Sequence, residues 1–311
     1  MIRRRDRKFL LTGRRSFFSS GAVIAVCVIA FAVISIVSIA FVRKAYFNVP
    51  SISSLYSDWN AGSYGAVYEH SGQILDKHPL DGAALAMHGF SGYYLFTEQT
   101  DPSVGQVYLS SSINSLRNAW YRVSDSEKPQ IAYVLGKAYY QRGYYYADLS
   151  MKYLDYAYKA GFRNDDLAEF RGLAASLVGD YQTSVAAFTE ALSSKPSDLL
   201  LFTLAKTYLK LNDAGKAKQY FYETGRMTQD ELLQFKCKFE IGQILVAEGK
   251  YDEALSEFNT ILEKTPNSAD AHYGLGVLYE TQGDLIKARA EWRKAVKADP
   301  VHAGARLKLE K

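Results

Sequence analysis

The chain of 311 residues contains little proline and little cysteine, with seven and two residues respectively. Proline interrupts helices, so its scarcity leaves long stretches free to be helical, and the alternating pattern of a half-buried strand is hard to find. Cys27 lies in an apolar run and Cys237 lies in a predicted helix, which argues against an intrachain disulfide. Composition therefore favours an all-α fold that disulfides do not hold together.

The sequence also lacks the short motifs of common catalytic and cofactor-binding sites. Its five histidines form no HExxH motif and no paired metal spacing, and Cys237 has no CxxC partner. There is no P-loop, no dinucleotide-binding glycine motif after a strand, and no GxSxG. Asp101 and the pair Asp165 and Asp166 are placed as helix caps or turn residues. We therefore predict a protein that is not an enzyme and that needs no metal and no cofactor.

Positive charge is concentrated at the start of the chain. Residues 1–44 hold nine Lys/Arg and one Asp, whereas the remaining 267 residues hold 28 Lys/Arg and 32 Asp/Glu. The larger part of the chain is therefore mildly acidic. A domain that binds nucleic acid presents a basic face, so this balance argues against a nucleic-acid partner.

An uncharged apolar run of 22 residues, 21–42, follows the basic start. At about 1.5 Å per residue, a helix of this length crosses a hydrocarbon core of about 30 Å. Seven Lys/Arg precede the run and only Arg43 and Lys44 closely follow it, so the positive-inside rule keeps the N-terminus in the cytoplasm. We predict a basic cytoplasmic tail (1–20), a transmembrane helix, and a periplasmic domain (43–311). The predicted protein is a single-pass protein of the cytoplasmic (inner) membrane.

A cleaved signal peptide is the alternative for this segment. Residues 38–40 have small side chains at the spacing that a signal peptidase requires, so cleavage after Ala40 stays open. The apolar run is longer than the apolar core of a signal peptide, which is about 7–15 residues, and the long basic leader also favours retention. We therefore expect an uncleaved anchor.

Residues 269–302 carry the pattern of small and large residues that two closely packed helices require. Gly276 and Ala288 stand where the helices approach each other, Gly283 stands in the turn, and Pro300 ends the second helix. Larger side chains around this crossing fill the space between the helices; they are Leu275, Tyr279 and Trp292.

The same landmarks occur once more at a fixed distance along the chain. Gly242 and Gly276, Gly249 and Gly283, and Pro266 and Pro300 are each separated by 34 residues. This spacing resembles the tetratricopeptide repeat, a helix–turn–helix unit of 34 residues, and weaker copies extend over nearly all of residues 48–302. The resemblance implies an α-solenoid in which stacked helix pairs form a right-handed superhelix with a concave inner surface.

The prolines and glycines predict seven units followed by a short capping helix, at about 48–81, 82–127, 128–164, 165–197, 198–234, 235–268 and 269–302. The second unit departs from the family pattern, because residues 97–106 predict a long turn before a second helix at 107–123. The third unit needs two extra residues within 143–150 to bring its second helix into register.

In repeats of this family, the first helix of each pair lines a groove that binds partners. Transferring the lining positions to this sequence predicts a row of aromatic residues with lysines beside it. Such a row grips an extended or helical peptide, because the rings bury area and the lysines attract acidic groups. Packing of the rings against neighbouring helices is the open alternative. The predicted partner-binding residues are Phe90, Tyr93, Tyr133, Lys137, Tyr140, Phe202, Lys206, Phe239 and Tyr273, and the same transfer adds Tyr94, Leu199, Leu209, Lys210, Lys236 and Glu280.

These features together predict a membrane-anchored, extracytoplasmic scaffold that binds protein or peptide partners and assists assembly of an envelope complex. It resembles chaperone-like bacterial inner-membrane repeat proteins that help to build such complexes. Two alternatives stay open. One is an array that associates with its own copies, and the other is a non-catalytic subunit that presents substrate to a separate enzyme.

Overall fold

A computed structural model describes the backbone of residues 20–47 and 49–310, and the side chains of residues 25–39 and 49–310. These residues form sixteen α-helices and one short 3-10 turn, so the predicted all-α class is confirmed. Apart from Ser20, the predicted tail at 1–20 lies outside the described residues. The helices are α1 (Ser20–Phe47), α2 (Ile52–Asn60), α3 (Tyr64–Lys77), α4 (Gly82–Glu98), α5 (Pro102–Ala119), α6 (Lys128–Gln141), α7 (Ala147–Lys159), α8 (Leu167–Val178), α9 (Tyr181–Ser194), α10 (Asp198–Lys210), α11 (Ala214–Met227), α12 (Glu231–Ala247), α13 (Tyr251–Lys264), α14 (Ala269–Thr281), α15 (Leu285–Ala298) and α16 (Ala303–Leu309).

Helices α2 to α15 form seven consecutive pairs, and α16 packs on the last pair. The even-numbered helices α2 to α14 are called first helices below, and the odd-numbered helices α3 to α15 are called second helices. Each second helix packs against its own first helix and also against the first helix of the next pair. A helix pair cannot bury its apolar face alone, and this stacking buries it against both neighbours. The result is the predicted solenoid.

Five of the seven pairs are held together at a point where a glycine of the first helix meets a large residue of the second. A Cβ placed on Gly276 would lie 2.2 Å from Nε1 of Trp292, so only glycine leaves room for the indole ring. The equivalent distance from Gly242 to Cε1 of Phe258 is 2.6 Å. The same arrangement joins Gly89 with Leu116, Gly136 with Leu154, and Gly172 with Phe188.

In three of the pairs, the turn uses a residue with positive φ followed by an aspartate that caps the second helix. Gly283 has φ = 84°, a conformation that side chains with a Cβ rarely adopt. Asp284 follows it, and its carboxylate accepts a hydrogen bond from the backbone N of Lys287 at 3.0 Å. Asn212 and Asp213 make the equivalent turn in the fifth pair, with φ = 59° at the asparagine.

The predicted long turn at 97–106 is wrong. Helix α4 continues to Glu98 and α5 already begins at Pro102, so only three residues connect them. Asp101 caps α5 by accepting a hydrogen bond from the backbone N of Ser103 at 2.8 Å, and proline is favourable in the first turn because it has no N–H to satisfy. The additional residues therefore lengthen both helices. In the third pair, extra residues form the 3-10 turn Tyr144–Tyr146.

The first helices lie on the inner side of the array. Four neighbouring pairs of first helices, α2/α4, α4/α6, α6/α8 and α12/α14, approach each other with Cα atoms within 8 Å. Over residues 49–310, no two second helices do so to a similar extent. Successive first helices therefore lie closer to one another than successive second helices do. The surface formed by the first helices is called the inner face below.

Helix α1 is separate from the hydrophobic core. Its described side chains, residues 25–39, are absent from the three core clusters that the described residues form. Within the described residues, no helix reaches both the length and the apolar character of a membrane crossing. The predicted transmembrane helix at 21–42 is therefore not supported by the structure.

Candidate partner-binding face

A cleft opens on the inner face at the N-terminal end of the array. It measures about 510 Å³ including its mouth. Three first helices, α2, α4 and α6, line it, with apolar walls and two polar groups at Glu127 and Gln130. The remaining lining residues are Tyr56, Trp59, Ala83, Ala86, Met87, Phe90 and Ile131.

Aromatic rings are packed together beside this cleft. The ring of Trp59 lies 5.3 Å from the ring of Tyr94 and 6.2 Å from that of Phe90, measured between centroids. Tyr64, at the start of α3, stacks on Tyr94 at 4.3 Å. The side chain of Tyr94 is still 40% exposed, so one face of the cluster is available to a partner.

The predicted residues nearest the N-terminus are mostly buried. Phe90, Tyr93 and Tyr133 are each less than 9% exposed. Phe90 forms part of the cleft wall, whereas Tyr93 and Tyr133 lie beneath the surface around Lys137. Rings at this depth support the inner face from beneath. A partner on this face would mainly contact the more exposed residues around them.

Lys137 occupies a cage of aromatic rings with one carboxylate. Its Nζ donates a hydrogen bond to Oδ2 of Asp166 at 2.6 Å, and it lies 4.9 Å from the ring centre of Tyr133 and 4.6 Å from that of Phe170. Tyr133 also donates a hydrogen bond to Asp166. Burial, and then that hydrogen bond, raise the pKa of the Tyr133 hydroxyl well above its usual range, so the hydroxyl stays protonated. The charge of Lys137 is thus compensated by Asp166, and this ion pair joins α6 to the start of α8.

Two further ion pairs join successive helices of the inner face. One joins two first helices, and the other joins α14 to α16. Nζ of Lys206 in α10 lies 2.6 Å from Oε1 of Glu240 in α12. Lys308 in α16 pairs with Glu280 in α14. Ion pairs therefore cross between successive units along the inner face, and they compensate the charges of Lys137, Lys206 and Lys308.

The aromatic residues predicted in the later units are half-buried on the first helices. The ring of Phe202 lies 5.3 Å from that of Phe221, and the ring of Phe239 lies 6.1 Å from that of Phe258. Tyr140, in the third unit, contacts the ring of Phe170 at 5.6 Å. Each ring thus contacts a neighbouring helix on one side and leaves part of its surface accessible on the other.

A second cleft lies at the C-terminal end of the inner face, between α12 and α14. It measures about 1060 Å³ including its mouth. Gly274, Phe258 and Tyr273 are among its lining residues, and the ring of Tyr273 lies 5.0 Å from the ring of His302. Its other lining residues are Gln243, Val246, Ala247, Glu248, Gly249, Tyr251, Val277 and Thr281.

Sequence analysis missed the residues that complete the N-terminal cleft. Tyr56 and Trp59 line that cleft, and Tyr64 stacks on Tyr94 beside it. All three belong to the first unit, whose first helix departs most from the repeat pattern. Tyr56 and Trp59, the two large aromatic residues before Gly62, were the available signal, because the repeat pattern requires none there. Over the residues that the structure describes, no group of three or more His, Cys, Asp and Glu residues is arranged to hold a metal ion.

Comparison with protein families identifies the repeat in the C-terminal half of the chain. A family model described as "Tetratricopeptide repeat" matches residues 239–303, and a second model with the same description matches residues 200–223. The first match covers the two units whose glycine and proline landmarks are separated by 34 residues.

Two curated proteins are similar to parts of the chain. One is "Protein CTR9 homolog" of Arabidopsis thaliana, 30% identical over 105 residues, which are 33% of this chain and 10% of that protein. The other is "Probable biofilm formation methyltransferase WspC" of Pseudomonas putida, 38% identical over 61 residues, which are 20% of this chain and 14% of that protein. The chain thus matches only a small part of each relative.

A solved structure resembles most of the array. It is the C-terminal part of a TPR repeat-containing protein from Cytophaga hutchinsonii, 12% identical, with a TM-score of 0.57. The match covers 84% of this chain and 100% of that chain. At this identity the likeness concerns the fold alone, which agrees with the stacked helix pairs described above.

Proposed function

Because the chain carries tetratricopeptide repeats, we propose that it is a non-catalytic scaffold whose inner face binds an extended segment of a partner protein. The observation that carries the proposal is the presence of two clefts on the same face, one at each end of the array. An extended segment that follows the inner face enters both clefts. Binding in this way buries a long partner segment without any enzymatic group.

The charges of the inner face favour a partner recognised by its apolar side chains. Lys137 and Lys206 already pair with Asp166 and Glu240, so neither is free to attract an acidic group. The partly exposed aromatic rings remain, and aromatic side chains contribute most to binding when they meet a partner in a desolvated recess. We therefore expect large apolar or aromatic residues in the partner to enter the cleft beside Trp59.

The proposal is tested by crosslinking in intact cells. A photoreactive phenylalanine replaces Tyr94 on the inner face or, as a control, Tyr222 on a second helix; the two tyrosines are 40% and 39% exposed. We expect the same partner to be captured repeatedly from position 94 and not from position 222. The substitution Trp59→Ala should reduce capture from position 94 while the circular dichroism of the array stays helical. Equal capture from both positions, or full capture by the Trp59→Ala variant, contradicts the proposal.

We also propose that α1 anchors the scaffold in the cytoplasmic membrane and that the repeats face the periplasm, where they assist assembly of an envelope complex. The proposal is supported by the uncharged run at 21–42, the basic leader before it, and the exposure of apolar side chains along α1, from 53% at Val33 to 73% at Phe31. Protease added to spheroplasts should digest the repeats. Digestion only after the cells are lysed contradicts this arrangement.

A further inference from the structure

A second aromatic surface lies away from both clefts, at the ends of α5 and α6 and the beginning of α7. It is called the tyrosine patch below and consists of Tyr121, Tyr139, Tyr144, Tyr145, Tyr146 and Tyr153. The ring of Tyr139 stacks between two others, at 6.0 Å from Tyr146 and 5.8 Å from Tyr153. The stacked rings form a continuous base. Tyr144 and Tyr145 share the 3-10 turn with Tyr146, and Tyr121 follows Trp120, whose ring lies 5.6 Å from that of Tyr153.

Three tyrosines of the patch protrude into solvent. Tyr121, Tyr144 and Tyr145 are 82%, 70% and 91% exposed, and the last two stand on the 3-10 turn that follows Gly143. A peptide is usually anchored in a recess of its receptor. Rings that project from a turn instead suit a partner into which the rings themselves insert.

Basic side chains surround the patch. Arg142 lies over the ring of Tyr146 at 5.9 Å, and Lys152 lies over that of Tyr153 at 5.8 Å. Arg117 interacts electrostatically with Tyr139. In the part of the chain that the structure describes, none of these three cations forms an ion pair with a carboxylate. Residues 102–153 hold six Lys/Arg and three Asp/Glu, although the array as a whole is mildly acidic.

We infer that the tyrosine patch docks on the surface of a bilayer that contains anionic lipids. Tyrosine is favoured at the membrane interface because its ring is apolar and its hydroxyl is polar. Arginine and lysine beside the rings attract anionic headgroups. The surface is thus complementary to a lipid interface in its amphipathic side chains and its charge.

This inference rests on the proposed anchor, which brings the patch near the bilayer. Helix α1 ends at Phe47 and α2 begins at Ile52. Five peptide steps span at most about 17 Å, so the anchor holds the first pairs close to the lipid headgroups. The patch belongs to the second and third pairs and therefore lies within the part of the array that the tether keeps near the membrane.

The test uses the full chain incorporated into vesicles and an environment-sensitive fluorophore on the patch. The label is attached to Tyr145→Cys in a Cys27→Ser background, with Ile286→Cys as the matched control because Ile286 is 86% exposed at the far end of the array. With vesicles of phosphatidylcholine and phosphatidylglycerol, we expect brominated lipids to quench the label at 145 and not the label at 286. In the Arg117→Gln and Lys152→Gln variants, the docked population should fall about fivefold for each lost charge.

Flotation of the chain with the vesicles measures anchoring separately from docking of the patch. A chain that floats while the label at 145 responds no more than the label at 286 overturns the inference and leaves the anchor intact. A chain that does not float overturns the anchor, and a label at 145 that still responds to added vesicles then supports the patch alone. A label that responds to soluble polyglutamate and not to vesicles identifies an acidic polypeptide as the partner and also overturns the inference.

Discussion

The ring of Phe258 lies so close to Gly274 that a Cβ on this glycine would be 2.4 Å from Cε1 of the ring. Gly242 contacts the same ring from its own pair, so Phe258 is packed between glycines of two successive units. We expect Gly274→Ala to destabilise the array by about 1–3 kcal/mol, because the buried ring has little room to move. Urea unfolding followed by circular dichroism measures the change.

Gly65 provides the control for this substitution. It lies in α3 with a negative φ, and no atom lies within 4 Å of the position that a Cβ would take. Gly65→Ala should therefore be neutral or stabilising by up to about 1 kcal/mol, because alanine favours the helix and restricts the unfolded chain. A comparable loss of stability in both variants would show that close packing at Gly274 is not the cause.

The caged lysine on the inner face should contribute more to stability than an exposed one. Lys137→Met leaves the carboxylate of Asp166 without its cation, and we expect a loss of about 1–2 kcal/mol because the pair is partly buried. Lys294 pairs with Glu291 at 2.7 Å but is 56% exposed, so Lys294→Met should change stability by less than about 1 kcal/mol. Equal effects in urea unfolding would contradict a special role for the cage.

Asp155 should make the array sensitive to acid. Burial alone would raise its pKa, but hydrogen bonds from Lys159 and Arg171 outweigh burial and hold the pKa below the usual value of 3.8. A lowered pKa in the folded state adds stability above the pKa of the unfolded chain, and this stability is lost as pH falls through the folded pKa. Stability should therefore fall less steeply below about pH 4 in Asp155→Asn than in the wild type. Urea unfolding over a pH series measures both slopes, and parallel slopes would contradict the prediction.

The thiol of Cys237 should be inert in the folded chain. Its side chain is 1% exposed, and burial raises the pKa of the thiol to about 12, so little thiolate is present at neutral pH. We expect a Cys27→Ser variant to react with a thiol reagent at pH 8 only after unfolding in urea. Rapid reaction of the native protein would show that α12 opens locally.

The helix pairs could be predicted from the sequence because contacts and turns within a single pair require the residues that mark them. The close contact with Trp292 requires Gly276, and the positive φ in the following turn requires Gly283. Both requirements are therefore visible as glycines at a fixed spacing. The connection between α4 and α5 was mispredicted because ten polar and small residues resemble a loop. Asp101 and Pro102 instead cap and start a helix, a local signal that the repeat pattern does not include.

The inner face was harder to predict because its contacts join residues of different units. The carboxylates that pair with Lys137 and Lys206 come from the following units, at Asp166 and Glu240, and a position in a single repeat does not reveal them. The cleft beside Trp59 likewise combines side chains from three first helices. The assignment of the predicted aromatic residues to a partner therefore stays a prediction that crosslinking has to test.

The hydrophobic core changes from one cluster to the next within α8. Leu167 and Ala174 belong to the cluster of the N-terminal pairs, whereas Ala168 packs with Phe188 in the cluster of the C-terminal pairs. In a solenoid each unit is stabilised mainly by its neighbours, so bending costs least where two clusters meet. A change of curvature at α8 alters the span between the two clefts. If the inner face binds a partner as proposed, such a change would set the length of partner segment that reaches both clefts.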